Sequence, residues 1–429
     1  MQRIIVLGGG AGGLELVVKL GRKLGRRREA EVILVDKNPT HIWKPLFHEV
    51  ATGSMNSYHD EAAYQMLARK HGFKFVLGRA TSIDLNERNI ELAPIKADGV
   101  QMVPVRTLSY DTLIVAVGSQ SNDFGIAGVK EFSRQLDSRE EAEQFHKIFT
   151  AQMHRVNAEN APELQQLNVV IVGGGATGVE LAADMHNVVQ RLSEYGFERF
   201  SKDRLKVRLI EAADELLPRL PIRIGTAVHR ELGKIGIDVR TGTMVAKVEK
   251  KAVITSEDES IPADISVWAA GVKAPQWIAD SGFSVDRLGR IEVNDDLSVQ
   301  GLDGVYALGD CCACKDRHGK DIPPRAQAAH QMADIVARNV IAARRGREAR
   351  PFIYRDFGSL ISLSKYSTVG NLMGNLMRGS VFVEGWMARM FYLSLYRMHQ
   401  SAVHGLFSTF LIMLGDRIYK ATRAEVKLH

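Results

Sequence analysis

Two stretches of the chain run from four apolar residues directly into glycines. Ile4-Ile5-Val6-Leu7 lead into Gly8, Gly10 and Gly13, and Val169-Val170-Ile171-Val172 lead into Gly173, Gly175 and Gly178. An unbroken apolar run of this length, bounded by glycine, predicts a strand buried on both faces. The residues after each turn, 11–24 in the first unit and their counterparts within 168–211 in the second, carry a helical apolar spacing, and a second apolar run closes each unit at Asp36 and Glu211. The strand-turn-helix-strand unit therefore occurs twice, 165 residues apart, and such a repeat signals a duplicated architectural unit. Further strands are predicted at 112–117, closed by Gly118, at 264–270, closed by Gly271, and at 303–308, closed by Gly309-Asp310. A polar helical insert is expected over 138–166 and a helix over 326–343. After about residue 350 the glycine signatures stop, and Met, Phe, Leu, Tyr and Arg become frequent.

A glycine turn that opens a helix presents backbone N–H groups to an anion, and the aligned peptide dipoles favour negative charge there. Each unit can thus hold a pyrophosphate, and two cradles in one chain imply two dinucleotides. The simplest chemistry that needs both is hydride transfer from a nicotinamide to a flavin. Asp36 and Glu211 end the second strand of each unit, where a carboxylate accepts from ribose hydroxyls. A carboxylate at Glu211 would repel a 2′-phosphate and so favours NADH over NADPH. Glu15 and Glu180 follow the third glycine of each cradle by two residues. The helix dipole accounts for both in the first turn; a place for Glu180 beside the nicotinamide is the functional alternative.

The net charge of +6 points to an anionic partner without choosing between lipid and nucleic acid. Only scattered basic residues support nucleic acid, so none is expected. The three cysteines are Cys311, Cys312 and Cys314. A disulfide framework is therefore not expected, and packing beside the cofactor is favoured over a metal or dithiol role. No metal-ligand set is assigned. The chain passes from Met1 straight into a strand, so no leader is expected, and no apolar run reaches the about 20 residues that span a bilayer.

The paired cradles together with Tyr306-Ala307-Leu308-Gly309-Asp310 resemble the flavoproteins with two dinucleotide-binding domains. Pro324-Arg325-Ala326-Gln327-Ala328-Ala329-His330-Gln331 further resembles the Ala-Gln-x-Ala-x-Gln segment of the type II NADH dehydrogenases, the single-subunit, non-proton-pumping NADH:quinone oxidoreductases. Residues 43–53 and 268–271 match as well. The likeness is greatest to the enterobacterial type, through the Leu395-Tyr396-Arg397-Met398-His399-Gln400 stretch.

The resemblance implies an α/β fold of two Rossmann-like domains of the FAD/NAD-linked reductase type, plus a C-terminal amphipathic membrane-anchoring region. It implies a discontinuous FAD domain (1–120 and 288–345), an NADH domain (121–287) and a membrane-association region (346–429). FAD is the implied cofactor and NADH the substrate. Gly8, Gly10, Gly13, Asp36, Gly118, Gly309 and Asp310 would bind FAD, and Gly173, Gly175, Gly178, Glu211 and Gly271 would bind NADH. Glu180, Gln327, Gln331 and Lys44 are the catalytic candidates, with the two glutamine amides at the quinone pocket. Many members of the family place a lysine near the quinone in the late strand region, where Lys365, Arg378 and Glu384 lie, and a basic role there stays open. Whether the quinone is ubiquinone or menaquinone stays open. A soluble NADH-dependent reductase of a small electron-carrier protein is the alternative enzyme.

From Met387 the residues Met387, Phe391, Leu395, Met398, Ala402 and Leu406 form one helical stripe, with Arg389, Arg397 and His404 off it. Phe407 to Leu414 follow, then Arg417, Lys420, Arg423 and Lys427. The expectation is a lipid surface contact through 387–429, lying in the headgroup plane. A core or dimer helix is the other reading, and homodimerisation stays open. The expected location is peripheral, on the cytoplasmic face of a bacterial inner membrane.

Overall fold

The computed structural model describes residues 1–56, 61–97, 99–158, 165–200, 202–363, 367–373, 380–384, 386–422 and 427. Lys365, Arg378 and Arg423 lie outside them. Two five-stranded sheets organise the chain, and every pairing in them is parallel. The first runs Val305–Ala307, Thr112–Val115, Arg3–Leu7, Glu31–Asp36, Lys74–Leu77. The second runs Ser133–Arg134, Ile265–Trp268, Leu167–Val172, Leu205–Ile210, Asp238–Arg240. In each, the cradle strand occupies the centre, as expected for sequences without a polar face: Ile4, Ile5, Val6, Val169, Val170 and Ile171 are wholly buried. Leu113 pairs with Val305, so the chain returns to the first sheet after completing the second.

The turns after the central strands follow from steric demands. Gly8 has φ +102 and Gly173 φ +116, a region that side chains rarely enter. A Cβ on Gly13 or Gly178 would collide with the carbonyl oxygen of Gly8 or Gly173, so each helix packs directly on its own turn. The helices Ala11–Leu20 and Ala176–Arg191 follow. The polar insert is the helix Arg139–Asn157, begun by a capping box: Glu141 N–H donates to Ser138 Oγ at 3.2 Å, and Ser138 N–H to Glu141 Oε2 at 3.1 Å.

Beyond residue 357 an antiparallel sheet forms from Gly358–Leu363, Ser367–Met373 and Ser380–Glu384. Two helices follow, Trp386–His404 and Leu406–Thr422, separated by Gly405 at φ +91. The side chains of Met387, Phe391 and Leu395 lie outside those described. In the rest of Trp386–His404, His399, Gln400 and Val403 are buried, whereas Met398 is 44% exposed. The helix thus turns a mixed polar face to the protein. The exposed apolar surface belongs to the last helix, where Leu406, Phe407, Phe410, Leu411, Met413, Leu414 and Ile418 all stand in solvent. Among the described residues no helix is long and apolar enough to cross a membrane.

Candidate active site

The two cradles share one construction. Asp36 Oδ2 accepts from Gly9 N–H at 2.6 Å and Asp36 Oδ1 from Asn38 N–H at 2.8 Å. Glu211 Oε2 accepts from Gly174 N–H at 2.6 Å and Oε1 from Ala213 N–H at 2.9 Å. Each acid therefore fastens the glycine turn to the end of the next strand. A carboxylate offers about four acceptor positions, so capacity for ribose hydroxyls remains. Burial raises the Asp36 carboxyl, opposed by the Asn38 and Gly9 amides. A Cβ on Gly10 or Gly175 would meet no protein atom within 4 Å, so the space in front of each helix N-terminus is open to a ligand. This is the shape a dinucleotide pyrophosphate requires, and FAD fits the first cradle by that criterion.

Lys44, Gly118 and Asp310 come together through Ser119, which the sequence reading did not single out. Ser119 Oγ donates to Asp310 Oδ2 at 2.8 Å, and Lys44 Nζ donates to Ser119 O at 3.0 Å and lies 3.4 Å from Asp137 Oδ1. Gly309, at φ +76, turns the chain beside them. A small cavity there is lined by Asp310, Arg290, Cys312, Pro324 and Met332. The cysteines pack nearby as buried thiols, and burial pushes Cys311 and Cys314 up to about 11. Gly271, at φ +61, closes its strand beneath the Phe124 ring, and its carbonyl accepts from Asn122 N–H at 3.3 Å.

The two glutamines hold neighbouring backbone. Gln327 Nε2 donates to Gly358 O at 2.9 Å, and its Oε1 accepts from Phe357 N–H at 3.2 Å. Gln331 Nε2 donates to Arg355 O at 2.8 Å and Oε1 accepts from Arg355 N–H at 3.0 Å. Both amides thereby pin residues 355–358, the entry to the C-terminal sheet, to the helix Ala326–Arg344.

Glu180 is buried, with Oε2 3.7 Å from His48 Nδ1. His48 lies on the short helix Phe47–Thr52, and burial pushes its imidazole below the usual range against the charge of Asp184. Asp184, one helical turn beyond Glu180, accepts from the hydroxyls of Thr52 and, at 2.7 Å, Ser54. The segment after Lys44 is thus sewn to the helix of the second cradle.

Glu15 departs from its helix-dipole explanation. It is the fifth residue of Ala11–Leu20, 1% exposed, and sits between two imidazoles. Oε1 meets His399 Nδ1 at 2.7 Å, and Oε2 pairs with His330 Nδ1. Burial alone would raise this carboxyl, but hydrogen bonds from His330 and His399 and their charge hold it down to about 2. His399 Nε2 in turn meets His41 Nε2 at 3.0 Å. No periodicity marks these histidines; His330 and His399 lie in the segments 324–331 and 395–400 that carry the resemblance, and no sequence signal marked His41.

Comparison with known proteins places this geometry. A family model described as pyridine nucleotide-disulphide oxidoreductase matches residues 2–333. A type II NADH:quinone oxidoreductase from Haemophilus influenzae is 39% identical over 444 residues, covering 100% of both chains. The chain belongs to the type II NADH:quinone oxidoreductases. Within this family the Staphylococcus aureus enzyme is 28% identical over 385 residues, covering 88% of this chain and 91% of that one. The structure of NDH2 from Plasmodium falciparum in complex with NADH superposes with a TM-score of 0.82 at 19% identity, covering 99% of this chain and 100% of that one. The sulfide:quinone oxidoreductase of Aquifex aeolicus gives 0.72 at 17% identity, covering 94% and 92%. The doubly wound fold is therefore common to these oxidoreductases.

Proposed function

We propose that this type II oxidoreductase passes electrons from NADH through FAD to a quinone, with the flavin in the first cradle and NADH in the second. FAD, when bound, accepts two electrons with a proton from a nicotinamide and returns them to a quinone. The observation that carries the reading is the pair of matched cradles, each with a carboxylate-fastened turn and open space before its helix.

On this reading the cofactor domain comprises 1–120 and 288–345, and the NADH domain 121–287. Gly10 and its neighbours offer amides to the FAD pyrophosphate, Asp36 accepts from its ribose, and Asp310, oriented by Ser119, accepts from the ribityl side. Lys44 holds positive charge between Ser119 O and Asp137. Glu180 shapes the nicotinamide pocket from the second helix. Gln327 and Gln331 form the wall toward the quinone together with residues 355–358, so their exchange of backbone partners for a quinone carbonyl requires that segment to yield. The exposed apolar side chains of Leu406–Thr422 lie against the lipid surface, on the cytoplasmic side of the membrane.

Anaerobic addition of NADH to detergent-solubilised protein tests the reading. The flavin absorbance is expected to bleach, then recover when a short-chain quinone is added. Bleaching without recovery would sink the quinone assignment.

A further inference from the structure

Gly9 of the first cradle is held from both sides. Its N–H donates to Asp36, while its carbonyl oxygen accepts from Tyr64 Oη at 2.7 Å and from His41 Nδ1 at 3.0 Å. A carbonyl only accepts, so His41 carries its proton on Nδ1. Burial, with the charge of His399, pushes His41 down to about 3, which leaves this ring neutral and its Nε2 without a proton. The 3.0 Å contact between His41 Nε2 and His399 Nε2 then requires His399 to donate. His399 Nδ1 lies 2.7 Å from Glu15 Oε1. The order of donation is therefore His399 to His41, and His41 to Gly9 O.

A trans peptide is planar, and its C=O and N–H point in opposite directions. Holding Gly9 O toward the protein therefore aims the Gly10 N–H outward, into the open space before the helix Ala11–Leu20. His399 comes from Trp386–His404, far along the chain, and is steadied there by the Trp43 ring, whose centroid lies 4.3 Å from its own. The end of that helix is also clasped: Arg22 donates to Val403 O at 3.2 Å and Lys70 to His404 O at 3.1 Å.

We infer that His399, acting through His41, is a positioning residue that aims the Gly9–Gly10 peptide at a dinucleotide pyrophosphate. The C-terminal helix is thereby a working part of the first cradle. This rests on the assignment of FAD to that cradle.

Release of FAD from the full-length protein, read by recovery of flavin fluorescence on dilution, tests it. His399→Phe keeps a ring against Trp43 and removes both donors. Release should accelerate about fivefold, the size of one hydrogen bond, with NADH affinity unchanged. His399→Gln retains an N–H for His41 and should stay within about twofold of the native rate. Combining His399→Phe with Tyr64→Phe should exceed the product of the two single effects, because either donor alone still holds Gly9 O. A native release rate in His399→Phe, equal release from the Phe and Gln variants, or a purely multiplicative double variant would overturn the relay. Gly10→Val separates the two levels, since a Cβ at this position would meet no protein atom within 4 Å and would enter the open space before the helix. If this variant holds FAD normally, the flavin is not in the first cradle and both ideas fall. If it loses FAD while His399→Phe holds it at the native rate, only the relay falls.

Discussion

The Ser54 hydroxyl donates to the Asp184 carboxylate at 2.7 Å, joining residues 130 apart in sequence. Ser54 follows the helix that begins just after Lys44, and Asp184 lies on the helix of the second cradle. Thr52 donates to the same oxygen. One carboxylate therefore sets the spacing between the segment carrying Lys44 and the helix carrying Glu180.

Asp184→Ala should cost about 3 kcal/mol, since it deletes a charged acceptor and leaves two hydroxyls to find other partners. Asp184→Asn keeps the shape and should cost about 1 kcal/mol. Urea unfolding of the two variants beside the native protein measures the difference. Equal midpoints for all three would show that the contact does not carry stability.

The buried histidines make stability depend on acid. His41 is pushed by burial down to about 3 and His71, by burial and neighbouring cations, to about 4. For a base whose folded pKa is depressed, the unfolded chain binds protons that the folded chain refuses, so stability falls as pH drops below about 6.5. His41 alone should remove about 2 kcal/mol between pH 6.5 and 5. Glu15, held down to about 2, adds a further loss from the ordinary carboxylate range downward. His330 works in the opposite direction: its pairing with Glu15 raises its pKa, and that contribution fades as pH rises through the raised value. Unfolding free energies at pH 7 and pH 5 check the net sign, and His41→Asn should flatten the slope.

On the proposed reading, Glu211 is expected to carry the preference between the two nicotinamide dinucleotides. Glu211→Gln retains an acceptor for the ribose but loses the charge that repels a 2′-phosphate. The ratio of kcat/KM for NADH over NADPH is expected to narrow by about tenfold, the scale of one unfavourable charge contact. An unchanged ratio would move the discrimination elsewhere, with nearby Arg208 and Arg240 the first residues to test. Because Gly174 and Ala213 also rely on this side chain, NADH affinity should weaken modestly.

The last helix offers a direct test of lipid contact. Phe407, Phe410, Leu411 and Leu414 are 50–75% exposed. Replacing Phe407 and Phe410 with Ser removes apolar area that would otherwise enter the interface. Co-sedimentation with anionic vesicles should fall at least tenfold, while NADH oxidation by a water-soluble acceptor continues. Retained sedimentation would assign membrane contact to another surface.

Much of the site was legible because its signals are local. A glycine that must adopt φ +102, another that must admit a helix against a carbonyl, and an acid at the end of the next strand stand within one unit of chain. Backbone sterics impose those residues wherever the turn occurs, so Gly8, Gly13, Asp36 and their counterparts could be named from the sequence. The contacts that join units were illegible. Ser119 between Lys44 and Asp310, Asp184 beneath Thr52 and Ser54, and His399 against His41 each pair residues that no spacing relates.

By itself the sequence determined two parallel cradle units, the acids that fasten them and the character of a two-dinucleotide oxidoreductase, because periodicity and glycine stereochemistry act over a few residues. Only the tertiary structure decided which face of Trp386–His404 turns inward. An apolar stripe records that a helix has two sides, but a buried polar ring needs hydrogen-bond partners, and His399 meets Glu15 and His41 only in the folded chain.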